Sequence, residues 1–251
     1  MGQWVARQPG DDRAPAEQDF WSLLDEPARQ RVRDAAHIRT FAARTHLVRQ
    51  DEVSDHVFVL RRGCVKVYAD TGTGYQAVLA LRNSGDLLGE QAGLDRQPRS
   101  ASIAALMEVE ALVITAGRFS ALLRSVPGVA FAVQQVLSRR LREADRQRAA
   151  VGSTSVDARL AALVLDLGAR YGRPAPGRAV RIELPLSQDD LAGLVLGSRR
   201  AVARALEEWR GLGILTTGRQ TLELAPGGEA QLRHRAAGAA SRPPAAGPAH
   251  G

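Results

Sequence analysis

Between Thr40 and about Phe119 the chain strings together short β-type runs with no helical crossover between them, and this limits its fold more than any other feature. The runs are Leu47-Val48, His56–Leu60, Cys64–Tyr68, Gln76–Leu81, Ser102–Leu106 and Val109–Ile114. Turn chemistry separates them at Arg62-Gly63, Asp70–Gly74, Asn83-Ser84-Gly85 and Asp95–Pro98. Parallel neighbours would need crossovers of a dozen or more residues, usually helical. A Rossmann-type sheet is therefore disfavoured and an antiparallel barrel or sandwich is expected.

Helical patterns flank this region. Phe20–Ala36 reads as a short helical segment with Phe20, Leu23, Leu24 and Val32 as its apolar positions, while residues 1–17 are polar, without periodicity, and read as a loose arm. Pro127 opens a long helical run to about Ala150. Val129, Val133, Val136, Leu137, Leu141 and Ala144 recur at steps of three and four, with Arg139, Arg142, Arg146 and Arg148 mostly off that stripe. A helix of this length either packs on its own sheet or pairs with a twin in a parallel coiled coil. Both are expected here, with Arg140 and small alanines interrupting the seam. Gly152–Ser155 is a hinge candidate, Val156–Tyr171 a further helix and Pro174–Gly177 a loop.

The segment Ser187–Arg204 reads as two short helices joined by a tight turn. Ser187 is a good N-cap, and Asp190 places negative charge where the first-turn N–H groups want it. Leu191, Leu194 and Val195 form one apolar face, Leu196-Gly197 breaks the pattern, and Ser198 offers a second N-cap. Val202, Leu206 and Trp209 then face inward, leaving Arg199, Arg200 and Arg204 outward near the start of the second helix. Such a helix can enter a DNA major groove while the first braces it on the backbone. A helical hairpin with a solvated basic face is the plainer alternative. Ile214–Thr216 and Thr221–Leu224 follow as a two-stranded wing, and the Ala/Gly/Pro-rich residues 236–251 read as a disordered tail. The organisation expected is thus 1–17 arm, 18–126 sheet domain with flanking helices, 127–151 long helix, 152–235 winged helix-turn-helix and 236–251 tail, an α+β chain.

Charge supports this division. Residues 118–251 hold 20 basic and 11 acidic side chains, whereas residues 1–117 hold 14 and 16. Only the C-terminal half is suited to a polyanion. The single cysteine, Cys64, rules out an intrachain disulfide framework and a cysteine-ligated iron–sulfur cluster. No apolar stretch reaches membrane-spanning length and no signal-peptide pattern opens the chain, so a cytoplasmic protein without membrane attachment is expected. Enzymatic chemistry is not expected either. Asp189 and Asp190 are adjacent on a short helix and point apart, and no metal-ligand spacing or nucleophile elbow is present. His37, His46 and His56 read as surface or structural residues.

From the sheet glycines Gly63 and Gly85, the segment Gly85-Asp-Leu-Leu-Gly-Glu90 with Arg99-Ser100, and Leu186–Arg204, the chain resembles the catabolite-activator/fumarate-nitrate-reduction (Crp/Fnr) family of bacterial transcription regulators. The resemblance covers roughly residues 38–226. It implies an N-terminal antiparallel β-roll of the cyclic-nucleotide-binding jelly-roll type, a long dimerisation helix and a C-terminal winged helix-turn-helix. It also implies no resident cofactor, and an allosteric effector such as cyclic AMP or cyclic GMP held by Gly89, Glu90, Arg99 and Ser100. Glu90 would accept from the ribose 2′-hydroxyl and Arg99-Ser100 would hold the cyclic phosphate, roles that suit a carboxylate, a guanidinium fork and a hydroxyl. Gly89 would let the backbone approach the ligand. Read without the resemblance, a Glu and an Arg nine residues apart can equally hold each other as a structural ion pair.

Several positions depart from the family pattern. Ala144 and Asp145 stand where cyclic-AMP-binding members carry Thr-Ser on the long helix, and Asp145 can accept from an exocyclic amine or a guanine N–H. Asp51 stands where the first roll turn usually has glycine. In the second helix of the pair, Ser198-Arg-Arg-Ala-Val-Ala-Arg204 keeps arginines suited to guanine or phosphate at Arg199 and Arg204. Arg200 replaces a glutamate that accepts from cytosine, so the half-site should differ. Ser187 and Gln188 are expected to hold phosphates. The reading is a homodimeric regulator on a pseudo-palindromic double-stranded DNA site, controlled by a small-molecule effector, with RNA polymerase a partner if it activates. The alternatives are the same DNA-binding dimer without a ligand and, further off, a nucleotide-binding module acting on a protein partner.

Overall fold

The computed structural model describes residues 19–72, 76–218 and 220–238. The expected arm, residues 1–17, and residues 239–251 of the expected tail lie outside them. The chain divides into two compact units, residues 1–144 with 184–186 and residues 145–183 with 187–251.

The first unit opens with helix α1 (Glu26–Ala35), capped by the Asp25 side chain accepting from Ala28 N. Strands β1 (His37–Phe41), β2 (His46–Val48), β3 (His56–Arg62), β4 (Cys64–Asp70), β5 (Gln76–Asn83) and β6 (Leu87–Leu88) follow. After helix α2 (Glu90–Asp95) come β7 (Ser102–Ala105), β8 (Val109–Thr115), helix α3 (Ala116–Ser125) and the long helix α4 (Pro127–Ser153), of which residues up to Ala144 belong to this unit and those from Asp145 to the second. The strands form two four-stranded antiparallel sheets, in the orders β1-β8-β3-β6 and β2-β7-β4-β5. The strand spacing led to the expectation of an antiparallel barrel or sandwich, and the two sheets form the antiparallel roll that the resemblance implied.

The apolar runs in β3 and β8 are continuous because both faces of these strands are buried. Phe58 and Leu60 of β3 and Val109, Ala111 and Val113 of β8 pack between the sheets with Phe41, Val65, Leu88 and Ile103. The alternate residues Val57, Val59, Leu112 and Ile114 face a second core, closed by Phe20, Leu24 and Val32 before and within α1, by Phe119 and Leu122 of α3, and by Val129, Val133 and Val136 of α4. Strand periodicity of two thus divides one sequence run between two cores. Val129, Val133 and Val136 are spent on the roll. On the same helix Phe131 and Leu141 are each 62% exposed and Val151 45%.

Sequence signals missed or displaced some elements. The β1 strand begins at His37, before the expected start of β structure, and only Phe41 of it is buried. The expected Phe20–Ala36 helix is shorter, its first residues forming turns ahead of Glu26. Asp51 has φ of +62°, so the position that usually carries glycine keeps the left-handed backbone here with an aspartate.

The second unit contains α5 (Val156–Tyr171), the hairpin β9 (Gly172–Ala175) and β10 (Ala179–Ile182), α6 (Gln188–Leu194), α7 (Arg199–Gly211), the wing strands β11 (Leu215–Gly218) and β12 (Thr221–Leu224), and α8 (Gly228–Gly238). Its four-stranded sheet has the order β11-β12-β10-β9. The segment expected as a loop, Pro174–Gly177, is the end of β9 and the turn of that hairpin. Pro174 is tolerated because β9 is an edge strand. Helix α8 was not expected, and it makes residues 236–238 helical rather than part of a tail. Leu160, Leu167, Ile182, Leu206, Trp209, Ile214, Leu215 and Leu232 are fully buried in this unit.

Candidate effector pocket and nucleic-acid interface

In the roll, the turn Asn83–Asp86 leads through β6 to Gly89, which has φ of +71° and caps α2. The reason for glycine here is steric. A Cβ at residue 89 would stand 2.6 Å from Arg99 Nη1 and 3.0 Å from the His56 carbonyl oxygen. Gly89 therefore makes room for Arg99 in this structure. Arg99 is 3% exposed and donates through Nε to Ser54 Oγ at 2.8 Å, through Nη1 to the Gly89 carbonyl at 3.0 Å and through Nη2 to the His56 carbonyl at 2.5 Å. Burial lowers its pKa from the ordinary arginine value, while the carboxylates of Glu52, Asp55 and Glu90 oppose that shift. A guanidinium has five N–H donors, so these three bonds leave two for an incoming anion.

Glu90, 4% exposed, opens α2. Its Oε1 accepts from Arg140 Nη1 of α4 at 2.6 Å, and Arg140 Nη2 donates to the Leu87 carbonyl at 2.6 Å. Glu90 and Arg99 are therefore each held by other partners, and the ion pair between them considered from the sequence is not the one formed. Ser100 is exposed and its hydroxyl donates to Gln91 Oε1 at 3.1 Å. Among the described residues no buried side-chain nitrogen or oxygen lacks a hydrogen-bond partner. Asp145 is exposed on α4 and pairs with Arg148, one turn on, at 3.0 Å.

Sequence reasoning also passed over the charges around this site. Arg82 at the end of β5 lies 3.9 Å from Glu143 of α4, and Glu143 lies 3.7 Å from Arg139. Burial lowers the Arg82 pKa, with Arg140 adding to the effect and Asp86, Glu143 and Glu90 opposing it. Burial likewise raises the Asp86 carboxyl, opposed chiefly by Arg82. Residues 82 and 143 are far apart in sequence, so no local pattern announces the pairing.

In the second unit the helix pair is built as its caps foretold. Ser187 Oγ accepts from Asp190 N at 3.0 Å, and the buried Asp190 carboxylate accepts from Ser187 N at 2.8 Å, a complete capping box. Ser198 Oγ accepts from Ala201 N at 3.2 Å and starts α7. The turn between them passes through Leu196 at φ +48°. A residue the sequence did not single out secures that turn. Arg159 of α5 donates to the Val195 carbonyl at 2.8 Å, the Leu196 carbonyl at 3.3 Å and the Thr154 carbonyl. Behind α7, Trp209 Nε1 donates to Asp157 Oδ1 at 3.0 Å, and Arg235 of α8 bridges Asp157 at 3.5 Å and Glu208 at 2.9 Å.

Val202, Leu206 and Trp209 are buried, so α7 turns the opposite face to solvent. Ser187, Gln188, Ser198, Arg199, Arg200 and Arg204 are all exposed. Arg199 lies 3.7 Å from Asp189, itself on the surface, a loose pair that competing phosphates can replace. The exposed positions carry forked cations and hydroxyls at two helix starts, the donor set that DNA recognition uses. Among the described residues there is no cluster of metal-ligating side chains, and no helix is long and apolar enough to cross a membrane.

The comparisons agree with both halves. Residues 38–126 match the cyclic nucleotide-binding domain family and residues 158–225 the Crp-like helix-turn-helix domain family. The chain is 30% identical over 175 residues to the cyclic AMP receptor protein of Thermus thermophilus, covering 70% of this chain and 77% of that one. It is 29% identical over 160 residues to a CRP-like cAMP-activated global transcriptional regulator of Mycobacterium tuberculosis, covering 64% and 71%. Among solved structures, the c-di-GMP-responsive global regulator CLP of Xanthomonas campestris shares the fold with a TM-score of 0.71, 22% identity and coverage of 80% of this chain and 100% of that one. With a roll, a long helix and an arginine-bearing winged helix-turn-helix in that order, the chain belongs to the Crp/Fnr family of DNA-binding transcription regulators and is not an enzyme.

Proposed function

We propose that the protein is a homodimeric, sequence-specific transcription regulator whose roll binds a cyclic nucleotide. The observation that carries the effector reading is the placement of Glu90 and Arg99 at one glycine, Gly89. There a buried carboxylate can accept from a ribose hydroxyl and a buried guanidinium keeps donors for a phosphate. Ser100 beside them supplies a hydroxyl.

Dimerisation is supported by the exposed apolar residues of α4. With Val129, Val133 and Val136 taken up by the roll, Leu141 and Val151 stay exposed and Leu137 and Ala144 only half-buried. These recur at steps of three, four and seven, as a coiled-coil seam requires. Two copies would present α7 to successive major grooves. Arg199, Arg200 and Arg204 would then read bases or clamp phosphates while Ser187, Gln188 and Ser198 hold the backbone.

Effector control would act through the Glu90–Arg140 pair, which ties α2 to α4. A ribose hydroxyl at Glu90 competes for the carboxylate that holds Arg140, so ligand binding and helix attachment are linked. Linkage of this kind shifts an equilibrium only as far as the ligand prefers one arrangement. A second reading, a ligand-independent regulator, draws on the protein partners that Glu90 and Arg99 already have. Binding-site selection with the full chain tests the DNA reading. It should return two-fold symmetric sites with half-site centres one or more helical turns apart. Recovery of random sequence would overturn it.

A further inference from the structure

Two charged residues beside the pocket have no part in the proposed ribose and phosphate contacts. Glu143 follows Arg140 by three residues, so the two side chains are neighbours along one face of α4. Arg140 holds Glu90, and Glu143 faces Arg82 on the roll. The pair Arg82/Glu143 therefore lies about one helical turn from the pair Glu90/Arg140. Arg82 also feels the charges of Glu90 and Arg140, which places all four in one cluster.

The two pairs differ in how fully they are bonded. Glu90 and Arg140 share a 2.6 Å hydrogen bond. Glu143 has the arginines Arg82 and Arg139 at 3.9 and 3.7 Å, beyond hydrogen-bond reach. Its side chain is 26% exposed and that of Arg82 19%. A carboxylate in two such loose ion pairs is held by charge and can still accept from another partner. For a mere ion-pair clasp, this geometry is loose.

We infer that Arg82 and Glu143 form a base-reading site specific for guanine, making the effector a guanine cyclic nucleotide. The inference rests on the nucleotide-binding reading above. Guanine presents N1–H and the N2 amino group side by side, a donor pair matched to one carboxylate, and its O6 and N7 accept from an arginine fork. Arg82 and Glu143 offer that complement from two adjacent positions. Adenine reverses it. Its N1 is an acceptor that would face the Glu143 carboxylate, and its N6 amino group would face Arg82, donor against donor. The site thus discriminates by both attraction and repulsion. Asp145, engaged with Arg148 at the surface, is not required for this reading.

Isothermal titration calorimetry of the full chain against cyclic GMP and cyclic AMP tests the inference. The wild type should bind cyclic GMP about tenfold or more tightly, the range set by charged hydrogen bonds. Glu143→Gln should reduce that preference to about threefold or less by weakening cyclic GMP and, with the repulsion of adenine N1 removed, leave cyclic AMP bound no more weakly than by the wild type. Arg82→Gln should weaken cyclic GMP selectively. The ratio of the two affinities is measured on the same protein, so partial unfolding of a variant lowers both and cannot mimic the effect. Equal or tighter binding of cyclic AMP by the wild type overturns the guanine assignment and leaves the pocket standing. A Glu143→Gln variant that weakens both nucleotides equally makes the pair a clasp and overturns it too. If folded wild-type protein binds neither, the nucleotide-binding reading falls and this inference with it.

Discussion

Substituting Gly89 by alanine separates the demands of the backbone from those of Arg99. The residue has φ of +71°, which costs an alanine about 1 kcal/mol on its own. The new Cβ would also stand 2.6 Å from Arg99 Nη1, so the guanidinium must withdraw. Arg99 is 3% exposed, and withdrawal breaks at least its 3.0 Å bond to the Gly89 carbonyl. A hydrogen bond from a charged group contributes about 1.5–3 kcal/mol. Gly89→Ala should therefore destabilise the roll by about 2.5–4 kcal/mol. Gly72, with φ of +75° and nothing within 4 Å of its would-be Cβ, supplies the control. Gly72→Ala should lose only the backbone part, about 1 kcal/mol. Hydrogen exchange of the core amides in β3 and β8 reads the free energy of opening for each variant. If the two variants agree within about 0.5 kcal/mol, Gly89 is not there for Arg99 and the steric argument fails.

Other residues give sharper tests of single claims. Arg159→Met removes the donor to the Val195 and Leu196 carbonyls, and amides of α6 and α7 should open more easily by about 1–3 kcal/mol, with weaker DNA binding; unchanged exchange there would refute its role in the turn. Arg199→Ala should relax base preference at one position of the selected half-site, and an unaltered preference would show that it clamps phosphate only. For His46, which shares a 2.7 Å hydrogen bond with Tyr68, burial, followed by Arg49 and Lys66, lowers the imidazole below its ordinary 6.5. The unfolded chain then binds the extra proton as pH falls through 6.5, so this contribution to stability is present above 6.5 and lost on acidification. His46→Gln should flatten the pH dependence of melting in that range, and an unchanged profile would exclude His46 as its source.

Features written in local sequence were the ones that could be read from it. The capping box of Ser187 and Asp190, the second cap at Ser198 and the inward set Val202, Leu206 and Trp209 all act within one or two helical turns. The antiparallel sheet structure followed from short runs without crossovers, because strand length and turn chemistry are local as well, whereas the roll itself was implied by the family resemblance. Helix α8 escaped notice because its Ala-rich sequence buries little beyond Leu232, and β1 because only Phe41 of its five residues is buried. Arg82, Arg140 and Arg159 act through partners distant in sequence, 61, 50 and 36 positions away for Glu143, Glu90 and Val195. Such pairings depend on the tertiary fold, so no spacing rule reports them. Gly89 was singled out, but as space for a ligand, whereas the structure fills that space with the Arg99 side chain.

Effector-gated DNA binding is tested most directly by fluorescence anisotropy of the full chain on its selected DNA site, titrated with and without cyclic GMP at fixed salt. DNA affinity should change by about fivefold or more on adding the nucleotide, the usual size of an allosteric coupling, and not at all in Arg99→Ala. Wild-type affinity that stays the same with saturating cyclic GMP and with saturating cyclic AMP would contradict it, leaving a DNA-binding regulator that no cyclic purine nucleotide controls.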